Sequence, residues 1–121
     1  MPKIYKNTKF AKWQTKNNIP DSSLIKAISE IENGLIDAEL GGGLFKKRIA
    51  KSGFGKSGSY RTIIASKQTI GWIFIFGFNK NEVDNIDKST LNAYKEYARI
   101  VLFPNVVNLV KSNLIIEVKN E

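Results

Sequence analysis

Cysteine and histidine are both absent from the 121-residue chain. Without cysteine there is no disulfide framework and no thiolate chemistry, and most zinc-site types are closed off. Without histidine the chain lacks the commonest metal ligand and the usual general base. Long apolar runs are missing too. No stretch approaches the ~20 apolar residues that span a bilayer. The N-terminus, Met1-Pro2-Lys3-Ile4-Tyr5-Lys6, has no apolar signal region. The expectation is a cytoplasmic protein, off the membrane, that works without metal or cofactor.

A further absence is local. Between Leu40 and Asn81 there is no acidic residue, yet eight basic ones fall there: Lys46, Lys47, Arg48, Lys51, Lys56, Arg61, Lys67 and Lys80. The other eleven basic residues are matched by all eleven acids, so the whole net charge of +8 sits in the middle third. Lysines that serve only solubility would be spread along the chain. A concentrated field of one sign attracts polyanions, by steering and by counterion release. Nucleic acid or an acidic protein partner is expected there.

What is present is a globular composition, 42% apolar, and a length that suits one domain with one core. Residues 6–18 read as a first helix with Phe10, Ala11 and Trp13 as its apolar contacts, broken at Ile19-Pro20-Asp21. Asp21 is the expected N-cap of a second helix, in which Leu24, Ala27, Ile28, Ile31 and Leu35 recur at helical spacing. Asn33-Gly34 can end it with a residue at positive φ. Residues 35–40, 44–50, 60–66 and 70–78 read as strands, the last three rich in β-branched and aromatic residues. Gly41-Gly42-Gly43 reads as a turn and residues 66–69 as a hairpin loop. In the last strand Trp72, Phe74, Phe76 and Phe78 alternate with Gly71, Ile73, Ile75 and Gly77, which predicts a central strand with helices over one face. A polar connection leads to a third helix over residues 88–102, capped by Asp87. Leu91, Tyr94, Ala98, Val101 and Leu102 line one face of it, and Pro104 ends it. A short helix and a strand over 114–118 close the chain. The order predicts one α+β domain with a mostly antiparallel sheet: a helical hairpin in 1–34, the sheet in 35–78, and a C-terminal helix and tail in 88–121.

The segment Gly53-Phe54-Gly55-Lys56-Ser57-Gly58-Ser59-Tyr60-Arg61 fits two glycine patterns, a relaxed phosphate-binding loop and GxGxxG. Both mechanisms need a helix after the loop, so that its first N–H groups hold the phosphates. Here a strand follows, from Tyr60 to Ala65, and nucleotide binding is not expected. What remains is a glycine-rich loop between two basic strands. The glycines let backbone approach a bulky ligand. Lys51 and Lys56 bracket the loop, Lys46 and Arg48 share a strand face, and Arg61 stands beside Tyr60. Such cations, with an aromatic ring for stacking, suit RNA phosphates and bases. Tyr60 also reads as a packed strand aromatic, and Arg61 as one partner of a surface ion pair. Glu82 and Asp84 read as helix entry or surface solvation rather than as catalytic carboxylates. Trp13 and Trp72 read as core.

Three stretches together resemble a known family. They are Leu40-Gly41-Gly42-Gly43-Leu44-Phe45-Lys46-Lys47-Arg48-Ile49-Ala50, the glycine segment through Arg61, and Phe76-Gly77-Phe78-Asn79-Lys80 with Glu82, Asn85 and Ile86. Across residues 24–102 the chain resembles the RelE-type toxins of bacterial type II toxin–antitoxin systems, in their HigB-like branch. The resemblance implies the compact RelE/ParE fold, with a helical hairpin packed on an antiparallel sheet. It implies a metal-independent endoribonuclease that cuts messenger RNA in the ribosomal A site, with basic and tyrosine side chains in place of a histidine pair. The RNA's own 2′-hydroxyl would attack the adjacent phosphate. Arg48, Lys56, Arg61 and Lys80 match the motif's basic positions, Tyr60 joins them, and Lys46, Lys47 and Lys51 are expected on the RNA backbone. Ser59 stands where the pattern expects a second glycine. No cofactor is implied. The implied partners are messenger RNA, the ribosome and a cognate antitoxin of the helix-turn-helix HigA type, with operator DNA reached only through that antitoxin. Two other readings stay open on this fold: a non-catalytic ParE-like inhibitor of DNA gyrase, and a plain RNA-binding domain.

Overall fold

The computed structural model describes residues 3–51, 55–79 and 86–119, with backbone alone for 51 and 55–58. In chain order the elements are β1 (Ile4–Asn7), α1 (Thr8–Lys16), α2 (Asp21–Glu32), β2 (Ala38–Gly41), β3 (Leu44–Lys51), β4 (Gly55–Lys67), β5 (Gly71–Asn79), α3 (Lys88–Glu96), α4 (Val106–Lys111) and β6 (Ile115–Val118). A π-helical stretch, Tyr97–Leu102, and a 3₁₀ turn, Phe103–Asn105, join α3 to α4. The strands form one sheet in the order β2-β3-β4-β5-β1-β6. The β1–β5 pair is parallel and the other four pairs are antiparallel. The α+β class and the RelE-like arrangement expected from the sequence are both present.

The first element differs from the expected helix over 6–18. Ile4–Asn7 is a strand that fills the place between β5 and β6. Four residues interrupted by Lys6 are too short for period-2 patterning to register. Asn7 makes the switch from strand to helix. Its side-chain oxygen accepts the Phe10 N–H at 2.7 Å, as an N-cap does, and its amide donates to the Ile75 carbonyl at 3.2 Å. The second helix is also capped differently. Pro20 is its N-cap, and Asp21 is its first residue. The Asp21 carboxylate instead accepts from Gln14 Nε2 at 2.8 Å and from Lys6 Nζ at 3.0 Å, which ties α2 to α1 and β1. Gly34 ends α2 as expected, with φ +90. Its N–H donates to Ile31 and that of Leu35 to Glu30, the paired bonds of a Schellman turn. Leu35 therefore lies beyond the helix and is exposed, not part of the apolar face.

Helices cover both faces of the sheet, where the sequence suggested one. The α1–α2 hairpin packs Phe10, Leu24 and Ile28 against Ile49, Ile64 and Phe74. On the opposite face Ala98 and Leu102 of the π-helical stretch, with Ile115, pack against Leu44, Ile63, Ile73 and Ile75. The π turn, which inserts a residue into the helical ladder, also replaces the expected regular helix to 102. Pro104 falls in the 3₁₀ turn that follows.

The aromatic alternation in β5 does not hold along its length. Ile63 pairs with Phe76 while the next residue, Ile64, pairs with Phe74, so Ile75 is one extra residue, a β-bulge. Phe74 consequently faces the hairpin, and Phe76 and Phe78 face the other layer. Gly77 then turns toward the hairpin, where the Trp13 ring occupies the space that a Cβ would need. No helix among the described residues is long and apolar enough to cross a membrane.

Candidate nucleic-acid interface

The register of β3, β4 and β5 decides which basic residues meet. Arg48 on β3 is the direct partner of Arg61 on β4, and Arg61 is the partner of Phe78 on β5. Arg48 and Arg61 therefore stand side by side on one face, the face that Phe78 shares. Cross-strand partners have Cβ atoms about 4.5–5.5 Å apart, and like charges there repel. Lys46 lies two residues before Arg48, opposite Ile63, and so points to the same side.

Each arginine has a partner from the chain itself. Arg48 Nε lies 3.4 Å from both carboxylate oxygens of Asp37, a loose pair with the arginine side chain half exposed. Arg61 Nη1 donates to Ser59 Oγ at 2.6 Å, and Ser59 is 4% exposed. A neighbouring cavity of about 250 Å³ is lined by Glu30, Asp37, Lys47, Arg48, Ala50 and Ser59.

Lys47 points the other way. It is buried, and its ammonium sits 3.0 Å from Glu30 on α2. Its carbonyl accepts from Thr62 Oγ1 at 2.8 Å. Period-2 alternation puts it on the hairpin face, where it anchors β3 to α2, and it lines the same cavity as Arg48 and Ser59. Tyr60, next to Arg61, is likewise on the hairpin face. Its ring meets Trp13 edge-on at 5.4 Å and its hydroxyl is 3.4 Å from the Asn17 carbonyl. The packed-aromatic reading of Tyr60 fits this placement. Trp13 and Trp72 are partly buried against the same cluster. Lys80, Glu82 and Asp84 lie outside the described residues, as do the side chains of Lys51 and Lys56.

Sequence reasoning missed Asp37 and left Ser59 without a partner. Ser59 carried one signal, its departure from glycine. Asp37 carried none, because its pairing depends on where β2 lies beside β3. Chemically, Arg48 and Arg61 give neighbouring strands one guanidinium group each, and a guanidinium can hold a phosphate by two parallel hydrogen bonds. Among the described residues no cluster of carboxylates can hold a metal ion.

Residues 2–118 match the family described as the RelE toxin of the RelE/RelB toxin–antitoxin system. No curated protein gives a significant match to the chain. With the match running over nearly the whole length and onto this fold, the chain belongs to the RelE toxin family, the toxin half of a toxin–antitoxin pair whose other half is a cognate antitoxin.

Proposed function

We propose that this toxin is a ribosome-dependent endoribonuclease of the HigB-like kind, which cuts messenger RNA and stops translation in the cytoplasm. The observation that carries the reading is the direct cross-strand pairing of Arg48 with Arg61. Two like charges held as neighbours cost stability in the free protein, a cost that Asp37 beside Arg48 lowers and a bound phosphate would offset further. A phosphodiester passing to a pentacoordinate state gains charge, and preorganised cations stabilise that gain more than they stabilise the ground state.

In this reading the RNA 2′-hydroxyl gives up its proton and attacks the adjacent phosphorus. The 5′-oxygen leaves and takes a proton, and a 2′,3′-cyclic phosphate remains. Arg61 and Arg48 hold the non-bridging oxygens. Lys56 neutralises the phosphate or the leaving oxygen, and Lys80 is kept as the fourth basic position of the motif. Lys46 and Lys51 bind RNA backbone. Lys47 and Tyr60 are left out of the reacting group, on their placement toward the hairpin. With no histidine as general base, free RNA is a poor substrate, and the ribosome supplies the alignment. The antitoxin, of the HigA type, opposes this activity.

The test is Arg61→Ala in a cleavage assay on ribosomes programmed with messenger RNA. Losing one such charge lowers the rate by about 10²–10³. A rate within about threefold of wild type removes Arg61 from the mechanism. DNA damage with intact messages after induced expression would replace the reading with gyrase inhibition.

A further inference from the structure

On the same sheet face as the arginines, three residues back along β5 from Phe78, a groove of about 520 Å³ opens. Ile75 and Ile115 form its floor, and Tyr94, Tyr97, Val101 and Leu114 its walls. Val101 and Leu114 are 39% and 52% exposed, so apolar surface reaches the rim. One wall is the π-helical stretch itself, a distortion that tends to occur at functional sites. The size and apolar lining are those of a binding groove.

Its electrostatics are lopsided. Lys9 is the one charged residue in the lining, and none of the lining residues is acidic. The start of α1 adds no open donor there, because the Phe10 N–H is held by the Asn7 side chain and the Thr8 N–H by the Leu114 carbonyl, so Lys9 is the charge that the groove offers. Burial, with Tyr97 close by, raises the pKa of Tyr94, which leaves its hydroxyl a neutral donor in the wall.

We propose that this groove docks a segment of a partner protein, which inserts apolar side chains between the π-helical stretch and Leu114 and sets a carboxylate beside Lys9. RNA does not fit, because a lining with one cation offers no track for a phosphate backbone. A second copy is disfavoured, since two chains of +8 repel. In a toxin–antitoxin pair the partner is the antitoxin. To that extent the source of the segment rests on the toxin reading, while the groove and its chemistry do not.

The experiment is a titration of the full ¹⁵N-labelled chain with a short amphipathic peptide, leucine-faced and glutamate-flanked, followed by amide shifts. Expected are shifts at Thr8, Lys9, Tyr94, Tyr97, Val101 and Leu114, with Arg48 and Arg61 unmoved. Lys9→Glu and Leu114→Glu each weaken binding about tenfold, as loss of a charge match or an anchor does. Val101→Glu does the same at a second half-exposed rim position. The proposal is overturned by unmoved groove amides, by shifts confined to the Arg48–Arg61 face, or by equal binding of a lysine-flanked peptide. Concentration-dependent self-association that Leu114→Glu abolishes would give the groove to a second copy and overturn it as well. Arg61→Ala separates the two readings, because it removes cleavage and leaves the groove titration as in wild type.

Discussion

Ser59 Oγ accepts a hydrogen bond from Arg61 Nη1 at 2.6 Å, between two side chains on the same strand. Because Ser59 is buried, the contact fixes which way the guanidinium points. Ser59→Ala keeps the Arg61 charge and frees its direction. A hydrogen bond to a charged group is worth about 1.5–3 kcal/mol when buried, and Arg61 is only partly so; we expect about a fivefold loss in cleavage. The loss falls on kcat rather than KM, and Ser59→Thr restores it. Equal activity of Ser59→Ala and wild type would show that the contact does not set Arg61.

Lys47 and Arg48 are sequence neighbours with opposite duties, and salt dependence separates them. Arg48→Ala removes an exposed cation from the proposed RNA face. The slope of log affinity against log salt, measured on RNA by titration, then falls by about one. Lys47→Ala leaves that slope unchanged and costs stability, because Lys47 is buried against Glu30 at 3.0 Å. Glu30 is about one-third exposed, which limits the cost to about 1–2 kcal/mol, read from urea unfolding. A lowered salt slope in Lys47→Ala would place that side chain on RNA after all.

These two neighbours also show how far the sequence could be read. The charge-rich middle third, the strands around it and the helix of Leu24, Ala27, Ile28 and Ile31 are all patterned locally, so they were legible. Arg48 beside Arg61 is a register, set by how β3 and β4 pair, and no local pattern encodes it. The same holds for Lys47, whose period-2 position puts it on the hairpin face but does not name Glu30 as its partner. β1 was missed because Lys6 breaks its four-residue pattern, and the bulge at Ile75 is visible only against the Ile63–Ile64 step of β4. The groove needs α3, the π-helical stretch, the start of α1 and β6 to be assembled before it exists.

Trp13 lies on Gly77 so closely that a methyl group there enters the ring. Gly77→Ala should therefore act as overpacking, destabilising by about 1–3 kcal/mol. Trp13 also meets Phe10 and Tyr60 at 5.4 Å each, so it cannot shift without disturbing both. The check is a double-mutant cycle. Trp13→Leu alone destabilises, and in that background Gly77→Ala costs much less than in wild type. Additive effects of the two substitutions would mean that the clash is relieved elsewhere.

Asp21 couples stability to pH. Burial raises the pKa of its carboxyl, but the hydrogen bonds from Gln14 and Lys6 and the Lys6 charge outweigh that, and the net shift is downward from 3.8. A folded-state pKa below the unfolded value stabilises the fold above the unfolded pKa, and the contribution disappears as pH falls through the folded one. Asp87, whose carboxylate accepts the Thr90 N–H, is lowered as well and adds in the same direction. Stability of the wild type should therefore be flat near neutrality and decline below about pH 4, where the unfolded carboxyls take up protons first. Asp21→Asn keeps the size and an acceptor for Gln14 while losing the charge opposite Lys6. In urea unfolding it should be less stable than wild type at neutral pH, and the gap should close as pH falls below 3.8 and through the lowered folded-state pKa. A gap that stays constant with pH would assign the loss to packing at the α1–α2 junction rather than to the ionised carboxylate.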